Sequence, residues 1–189
     1  MSTPFGQLDE VMNLKETLST ETDRGCALHA ASYLDNELGV MLAAHFVDDT
    51  KTCNELFEGT GGLATFSARI AIAFALGLIP KNVRNDLTLI RRIRNEFGHN
   101  PRQIGFDHDA IANRCRELYF RWERLDRPPR RFFENAVFAV ASQIHSAKWS
   151  AKRPVAPKEI EIKEEHREEH REYVERLLAA ITQESQKST

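Results

Sequence analysis

The helical spacing of apolar residues constrains this chain more than any other feature of its sequence. After Thr22, a typical helix N-cap that Asp23 follows in the first turn, apolar residues recur three or four positions apart. This stripe comprises Ala27, Ala31, Leu34, Leu38, Met41, Leu42 and Phe46. No segment shows the convincing apolar–polar alternation of a strand. The pattern predicts an all-α fold, a multi-helix bundle with a charged C-terminal helix.

Glycines, prolines and polar caps divide the periodic pattern into helices. Gly77 suits a helix C-cap, Pro80 suits the first turn of the next helix, and Asp107 is a typical cap residue. Three glycines, Gly59, Gly61 and Gly62, indicate a tight turn between helices. The predicted helices cover 5–18, a segment from Thr22, 54–58, Phe66 to the LGLIP segment, 81–98, 107–125, 130–149 and a long C-terminal segment.

Composition changes near residue 150 predict an appendage to the helical domain. We expect a helical domain over 1–150, a linker over 151–158 that contains two prolines, and a charged helix over 159–184. From Lys163 to Glu172 this last helix has no apolar residue. It therefore either docks by its tip or pairs with a second chain, which makes a homodimer possible. The side chains available for docking are Tyr173, Val174, Leu177, Leu178 and Ile181.

Composition also restricts the class of protein. With 41% hydrophobic residues in 189, the chain can bury a core, but its longest apolar run is too short to span a bilayer. Its three cysteines lack disulfide or metal spacing, and the beginning of the sequence lacks a signal peptide pattern. His166 and His170 share a helical face, yet two ligands do not make a zinc site. We predict a cytoplasmic protein with no cofactor and no metal.

Charge is distributed unevenly along the chain. Residues 1–60 carry 11 acidic and 3 basic residues, whereas residues 91–131 carry 11 arginines and 6 acidic residues. The basic segment either forms a face for nucleic acid or packs against the acidic segment within the fold. The candidate nucleic-acid-binding residues are Arg114, Arg116, Arg121, Arg124, Arg127, Arg130 and Arg131.

The segment LIRRIRNEFGHN, residues 89–100, combines an apolar helical face with three arginines. On a helical wheel Arg94 falls on the apolar face, Arg91 lies at its edge and Arg92 points to solvent. A buried arginine requires an acidic partner or a ligand. We therefore predict a core helix in which Arg94 is buried and pairs with an acid such as Asp23, Asp35 or Glu37; the alternative is a cleft in which Arg94 faces a ligand.

The same segment contains a candidate catalytic set, Arg94, Asn95 and His99. A histidine at a helix end can act as general acid or base, and an arginine can stabilise a phosphate in transit. The spacing resembles the signature of HEPN domains, all-helical proteins of which many are metal-independent ribonucleases. In that family two such motifs meet across a dimer. Without a second catalytic group in the sequence, we favour a protein that is not an enzyme.

A longer set of residues resembles the mannitol operon repressor family. The matching runs are DRGCALHAASYLDNEL, LFEGTGGLATFSARIAIAFALGLIPKNVRNDLTLIRRIRNEFGHN and IGFD. This resemblance implies an all-helical bacterial transcriptional regulator that lacks an ordinary DNA-binding motif, and its partner would be DNA or a regulatory protein. Within the match, we expect Ser67 to cap or precede a helix and Arg69 to pair with an acid among the first sixty residues.

Three functional hypotheses follow from these patterns. The first is a transcriptional regulator that binds DNA or a protein partner. The second is an HEPN-like RNA-binding protein or ribonuclease that uses Arg94, Asn95 and His99. The third is a helical interaction module without enzymatic activity, which recruits partners through its acidic N-terminal third and charged C-terminal helix.

Overall fold

The protein is an assembly of helices. The computed structural model describes the backbone of residues 4–122, 124, 126–161 and 163–187, and within it the side chains from 11 to 179 except residue 165. Every regular element in these ranges is helical, which confirms the predicted all-α bundle. The elements are α1 (Pro4–Thr20), α2 (Asp23–Ala43), α3 (Thr50–Phe57), α4 (Phe66–Ala75), α5 (Lys81–His99), α6 (Asp109–Glu117), a 3₁₀ turn (Tyr119–Arg121), α7 (Pro129–Trp149) and α8 (Glu164–Lys187).

Helix α2 is the centre of the bundle. The Thr22 hydroxyl accepts a hydrogen bond from the Gly25 amide at 3.1 Å, which confirms the predicted N-cap. Small residues on its buried face allow α5 and α7 to pack closely on either side. The predicted stripe is buried as far as Leu42, but Phe46 lies beyond the end of α2 and is only partly buried. One continuous core results, in which Phe106 lies 5.1 Å from both the Phe97 and Phe133 rings, between centroids.

The connection between α3 and α4 depends on two glycines for different reasons. Gly59 has φ +56°, a left-handed conformation that glycine adopts without strain. Gly61 is required for a steric reason, because there is no room for a side chain. A Cβ atom there would lie 2.6 Å from the carbonyl carbon of Leu56 and would overlap the Glu55 and Leu56 carbonyl oxygens. Gly62 has open space around it and a φ outside the left-handed range. The predicted tight turn therefore requires the first two glycines but not the third.

Substitution of Gly61 by alanine is expected to destabilise the protein, whereas the same change at Gly62 is not. The added methyl group at Gly61 meets main-chain atoms, so relief requires a backbone shift that costs about 2 kcal/mol. Chemical denaturation of the two variants beside the wild type measures the difference. Equal free energies of unfolding for Gly61→Ala and Gly62→Ala would contradict this description of the turn.

The prediction of one helix over 107–125 is wrong. Helix α6 begins after His108, so Asp107 is not its cap, and α6 ends at Glu117. The chain then forms the 3₁₀ turn because the Asp86 carboxylate accepts hydrogen bonds from the next backbone amides, at Tyr119 and Phe120. An α-helix would use those amides internally, so the long-range bonds terminate it. Leu125, the predicted end of this helix, lies outside the described residues.

The chain divides into two compact units, residues 1–155 and residues 156–189. In the second unit, α8 is exposed at every described side chain, and Glu–Arg pairs lie along it, for example Glu164 with Arg167 at 3.3 Å. Of the proposed docking residues of this helix, the Ile181 side chain lies outside the described set. The domain limits of 150 and 158 and the dimer stay predictions. None of the described helices is long and apolar enough to cross a membrane.

Candidate functional site

Helix α5 places its three arginines in three different environments. Its buried face consists of Val83, Asp86, Leu87, Leu89, Ile90, Ile93 and Phe97. Arg91 is half-buried and Arg92 is exposed, as the helical wheel predicted. Arg94 is exposed as well, so the prediction of a buried, core-facing Arg94 is wrong. The wheel gave the direction of Arg94 correctly, but residues of α2, α4 and α5 line an open groove there instead of a closed core.

Arg69 on α4, and not Arg94, is the mostly buried arginine that pairs with an acid at this junction. Its Nη1 atom lies 2.8 Å from Asp35 Oδ1, and its side chain is only 16% exposed. The Nε atom donates to the Leu63 carbonyl at 2.8 Å. These bonds connect α4 to α2 and to the loop before α4, and they confirm that Arg69 pairs with an acid among the first sixty residues. Burial raises the pKa of Asp35, whereas Arg69 and, more weakly, Arg94 act to lower it.

A small groove between α2, α4 and α5 contains Arg94. We call it the arginine groove; its volume is 240 Å³, and its apolar lining consists of Ala31 and Phe66. Its polar lining consists of Ser32, Asp35, Thr65, Ser67, Arg91, Arg94 and Asn95. Thr65 is the N-cap of α4 and accepts a hydrogen bond from the Ala68 amide. Ser67 therefore lies within the first turn of α4 and is not the residue that caps it.

His99 lies in a different groove. The histidine groove, with a volume of 480 Å³, is formed by Arg92, Asn95, Glu96, His99, Asn100, Pro101 and Arg114. Arg114 in this groove is paired with Glu96 at 3.2 Å. Five positions separate Arg94 from His99, which places the two side chains about 140° apart around the helix. Asn95 borders both grooves, but Arg94 and His99 share neither.

The seven arginines of the predicted nucleic-acid face have unequal roles. Arg114 pairs with Glu96, and Arg121 donates to the Leu118 carbonyl at 3.0 Å. Arg116, Arg124, Arg127 and Arg131 are exposed. Arg124 lies 3.9 Å from Asp126, a contact of weak energetic value because both side chains are well exposed. Their grouping as one nucleic-acid-binding surface stays a prediction.

Arg130 is the structural member of this set. Its guanidinium donates to Asp23 at 2.8 Å and to Glu134 at 2.9 Å. It also donates to two main-chain carbonyls, those of Leu18 at 2.7 Å and Glu21 at 2.8 Å. Four of its five N–H groups are thus used to join α7 to α2 and to the end of α1. An arginine with so many internal bonds is poorly suited to grip a phosphate.

The exposed aromatic turn after α6 is a feature that the sequence analysis missed. Tyr119 is 64% exposed and Trp122 is 74% exposed. Their rings contact the partly buried Phe120 ring, with centroids 4.9 Å and 5.7 Å away. Trp122 has φ +56°, the one positive value at a non-glycine residue in the described backbone. A left-handed tryptophan is strained, so the surrounding structure must hold it in place.

Asp86 holds the aromatic turn. Its side chain is 1% exposed and accepts hydrogen bonds from the backbone amides of Tyr119 at 2.8 Å and Phe120 at 3.0 Å. The Asn135 side chain secures the next peptide by donating to the Arg121 carbonyl at 2.9 Å. Burial raises the pKa of Asp86, although the hydrogen bonds from the two backbone amides act to lower it. The acidic residue at this position was the available sequence signal, because it interrupts the apolar face of α5.

A second buried polar cluster joins α2 to α7. His145 is 3% exposed, and its Nε2 atom lies 3.2 Å from both Glu37 Oε2 and the Tyr33 hydroxyl. Lys148 lies 3.4 Å from the same Glu37 oxygen. The hydrogen bond with His145 is the main cause that lowers the pKa of Glu37. Glu37 is therefore paired with residues of α7 and is not the partner of Arg94.

Cysteine chemistry and metal binding have little support in the described residues. Cys26, Cys53 and Cys115 are free thiols, and burial raises the pKa of Cys26 and of Cys115 to about 12. Such buried thiols are poor nucleophiles because the thiolate is the reactive form. Within the part of the chain that the structure describes, no group of three or more potential metal ligands occurs.

Comparison with known proteins identifies the family. The sequence profile of the mannitol repressor (MtlR) family matches residues 9–131, about two thirds of the chain, and the chain therefore belongs to that family. The fold is similar to a chain in the X-ray structure of the MtlR–HPr complex from Escherichia coli, with a TM-score of 0.61 and 19% sequence identity. That alignment covers 73% of this chain and 98% of the other. No curated protein sequence matches significantly.

Proposed function

We propose that this protein is a bacterial transcriptional regulator of the mannitol repressor kind, which acts by binding a regulatory protein partner. The observation that carries this proposal is the exposed aromatic turn, Tyr119 to Trp122, held rigidly by Asp86. Tryptophan, tyrosine and arginine are the residues most enriched among those that dominate binding energy at protein interfaces. Arg116 and Arg121 lie beside these rings in the sequence, so the turn combines all three.

Rigidity strengthens the case for an interface at this turn. A flexible loop with exposed aromatic side chains loses conformational entropy when it binds, which lowers affinity. Here two hydrogen bonds from backbone amides to Asp86, and one hydrogen bond from the Asn135 side chain, fix the backbone of the turn before a partner binds. Strain in a non-glycine residue with positive φ commonly occurs at functional positions. A regulator that recognises a folded partner would benefit from this preorganised surface.

We propose a partner of the HPr type. The structural relative from Escherichia coli is an MtlR in complex with HPr, and the alignment with this chain covers nearly all of the relative's chain. Family membership and a shared fold support a shared mode of regulation. Direct binding of DNA by the seven arginines, a homodimer formed through α8 and a cytoplasmic location stay predictions from the sequence.

Substitution of Trp122 by alanine is expected to weaken binding of HPr by about 100-fold, the typical loss for a central interface tryptophan. Trp149→Ala is the matched control, since Trp149 is 44% exposed at the end of α7 and away from the turn in the sequence. Calorimetric titration of HPr from the same organism into each variant measures the affinities. We expect Trp149→Ala to bind like the wild type.

Two results would contradict this proposal in different ways. Wild-type protein that fails to bind HPr excludes this partner. Equal affinities for the wild type and Trp122→Ala would exclude the aromatic turn as the contact surface while leaving HPr as partner. Far-ultraviolet circular dichroism of each variant establishes that the helices are intact.

Binding is favoured over catalysis by the placement of the candidate catalytic residues. A ribonuclease would need Arg94 and His99 to act on one phosphodiester, with Asn95 to orient them. Within one chain the two residues line different grooves. Only a second copy that brings its own motif into contact would assemble them. We therefore propose that Arg94, Asn95 and His99 do not form a catalytic centre within one chain.

A further inference from the structure

We propose that the arginine groove binds the phosphate group of a small polyhydroxy compound, such as a sugar phosphate. This inference is independent of HPr binding and assigns a ligand to a region that the proposed function does not use. The groove lies between three helices of the same compact unit, and six polar side chains carry the argument. They are Ser32 on α2, Thr65 and Ser67 around the start of α4, and Arg91, Arg94 and Asn95 on α5.

The first argument is the state of the two arginines. Arg91 is half-buried, yet it forms no hydrogen bond or ion pair with any residue that the structure describes. Arg94 donates only to its neighbour Asn95, at 3.1 Å. A guanidinium that is withdrawn from water without an acceptor loses solvation energy. Arg91 is such a group, whereas Arg94 is exposed, and both line the same groove. Two guanidinium groups without an acidic partner in one groove favour a ligand with negatively charged oxygens.

Net charge in the groove supports the same class of ligand. Asp35 is the one acid in the lining, and Arg69 already pairs with it at 2.8 Å. The charge of Asp35 is therefore largely balanced by Arg69, and the charges of Arg91 and Arg94 remain. Two positive charges match a phosphomonoester dianion. The planar guanidinium fork also suits phosphate oxygens, because two parallel N–H groups can bind two oxygens.

Size and hydroxyl content narrow the ligand further. The volume of 240 Å³ lies below the range of about 300 to 1,000 Å³ that is typical of sites for drug-sized ligands. A small metabolite fits this volume, whereas a folded partner does not enter it. Ser32, Thr65, Ser67 and the Asn95 amide offer hydrogen-bond donors and acceptors at the groove. Such groups recognise the hydroxyls of a sugar or polyol in the way that arginines recognise its phosphate.

The test uses the full-length protein, with inorganic phosphate and glucose 6-phosphate as probes and glucose as the neutral control. Each is titrated at constant ionic strength, and the rise in unfolding temperature reports binding to the folded state. We expect saturable stabilisation by both phosphates, with tighter binding of glucose 6-phosphate, and none by glucose. The double variant Arg91→Gln/Arg94→Gln should bind about 100-fold more weakly, because each charge-assisted hydrogen bond contributes on the order of tenfold in affinity.

Arg92→Gln is the matched control. Arg92 lies between the other two arginines in the sequence, but it is exposed and lines the histidine groove instead. Its loss removes one positive charge from the same helix, so it separates general electrostatic attraction from binding in the groove. We expect Arg92→Gln to bind both phosphates within about twofold of the wild type at physiological salt, where exposed charges are screened.

Several results would overturn the proposal. A rise in unfolding temperature that does not saturate with phosphate concentration would mean that anions only screen charge in general. The same conclusion would follow if Arg92→Gln and the double variant lowered phosphate affinity equally. Binding of inorganic phosphate without glucose 6-phosphate would exclude the polyhydroxy ligand. Tighter, arginine-dependent binding of a short RNA than of glucose 6-phosphate would assign the groove to nucleic acid. The two substitutions of the double variant remove no ion pair that the structure describes, so its affinity for HPr should match that of the wild type. A loss of phosphate binding can therefore be distinguished from a loss of HPr binding.

Discussion

Replacement of Arg130 by methionine is expected to lower the free energy of unfolding by about 3 kcal/mol, in the range found when one partner of a largely buried ion pair is removed. The change deletes the hydrogen bonds to Asp23 and Glu134 and leaves Glu134, which is 9% exposed at its side chain, without its closest cation. It also leaves the Leu18 and Glu21 carbonyls without this donor. Methionine retains much of the aliphatic volume, so the loss reports the polar bonds.

Arg131→Met is the control for this prediction. Arg131 follows Arg130 in the sequence, carries the same charge and also contacts Glu134, at 3.2 Å. Its side chain is 63% exposed, so the ion pair should contribute less than about 1 kcal/mol. Urea unfolding of both variants, monitored by circular dichroism, gives the comparison. Equal destabilisation would mean that total charge, and not the internal bonds of Arg130, stabilises the junction of α1, α2 and α7.

Replacement of Asp86 by alanine is expected to cost about 3 kcal/mol of stability and to abolish HPr binding. The change leaves the Tyr119 and Phe120 amides without their acceptor, and each unsatisfied buried donor costs about 1 to 3 kcal/mol. Without these bonds the left-handed Trp122 loses its support, and the aromatic turn is free to rearrange. Asn85→Ala, at an exposed neighbouring position, should change neither property. Unfolding experiments and HPr titration on the same samples measure both.

The pH dependence of an Asp86→Asn variant provides a second test of this position. Burial raises the pKa of Asp86 above its ordinary value of 3.8, so the folded state binds this proton more tightly than the unfolded state does. The contribution of Asp86 to stability is therefore greatest below pH 3.8 and declines as the pH rises through the folded pKa. The stability of the wild type relative to Asp86→Asn should fall over that window. A difference that is constant with pH would contradict a buried carboxyl.

Asp86 has two proposed roles: it holds the aromatic turn, and it thereby maintains HPr binding. An Asp86→Ala variant with an intact turn but no HPr affinity, or with a disordered turn and full HPr affinity, would show that these roles are not linked. Tryptophan fluorescence of Trp122 in a Trp149→Phe background reports the state of the turn directly. We expect Asp86→Ala to shift the emission of Trp122 to that of a fully solvated side chain. Unchanged emission together with full stability would mean that Asp86 does not hold the turn.

Local patterns in the sequence were sufficient for most of the helical architecture. The N-cap at Thr22 and the apolar stripe of α2 depend on residues within one helix, so periodicity alone predicts them. Gly77 is similar: its φ of +70° at the end of α4 follows from a local backbone requirement. Arg69 was expected to pair with an acid among the first sixty residues because it lies near an apolar run, and Asp35 is that partner.

The predicted caps Ser67 and Asp107 missed the observed caps by one or two residues, whereas the larger failures involve residues that are distant in the sequence. A helical wheel placed Arg94 correctly in direction, but only the positions of α2 and α4 show that a groove lies there. Helix α6 was predicted too long because the residue that ends it, Asp86, precedes Tyr119 by 33 positions. The internal role of Arg130 was likewise not visible in the sequence, because its partner Asp23 lies 107 positions earlier.

The sequence by itself determined the helical class, the main helix boundaries and the resemblance to the mannitol repressor family, because these depend on residues within a few turns of one another. Only the tertiary structure decided which arginines stabilise the fold and which remain available for a ligand. That distinction depends on whether a carboxylate or carbonyl from another helix lies within hydrogen-bonding distance of each guanidinium. Arg69 and Arg130 have such partners, whereas Arg91 and Arg94 have no acidic partner among the described residues.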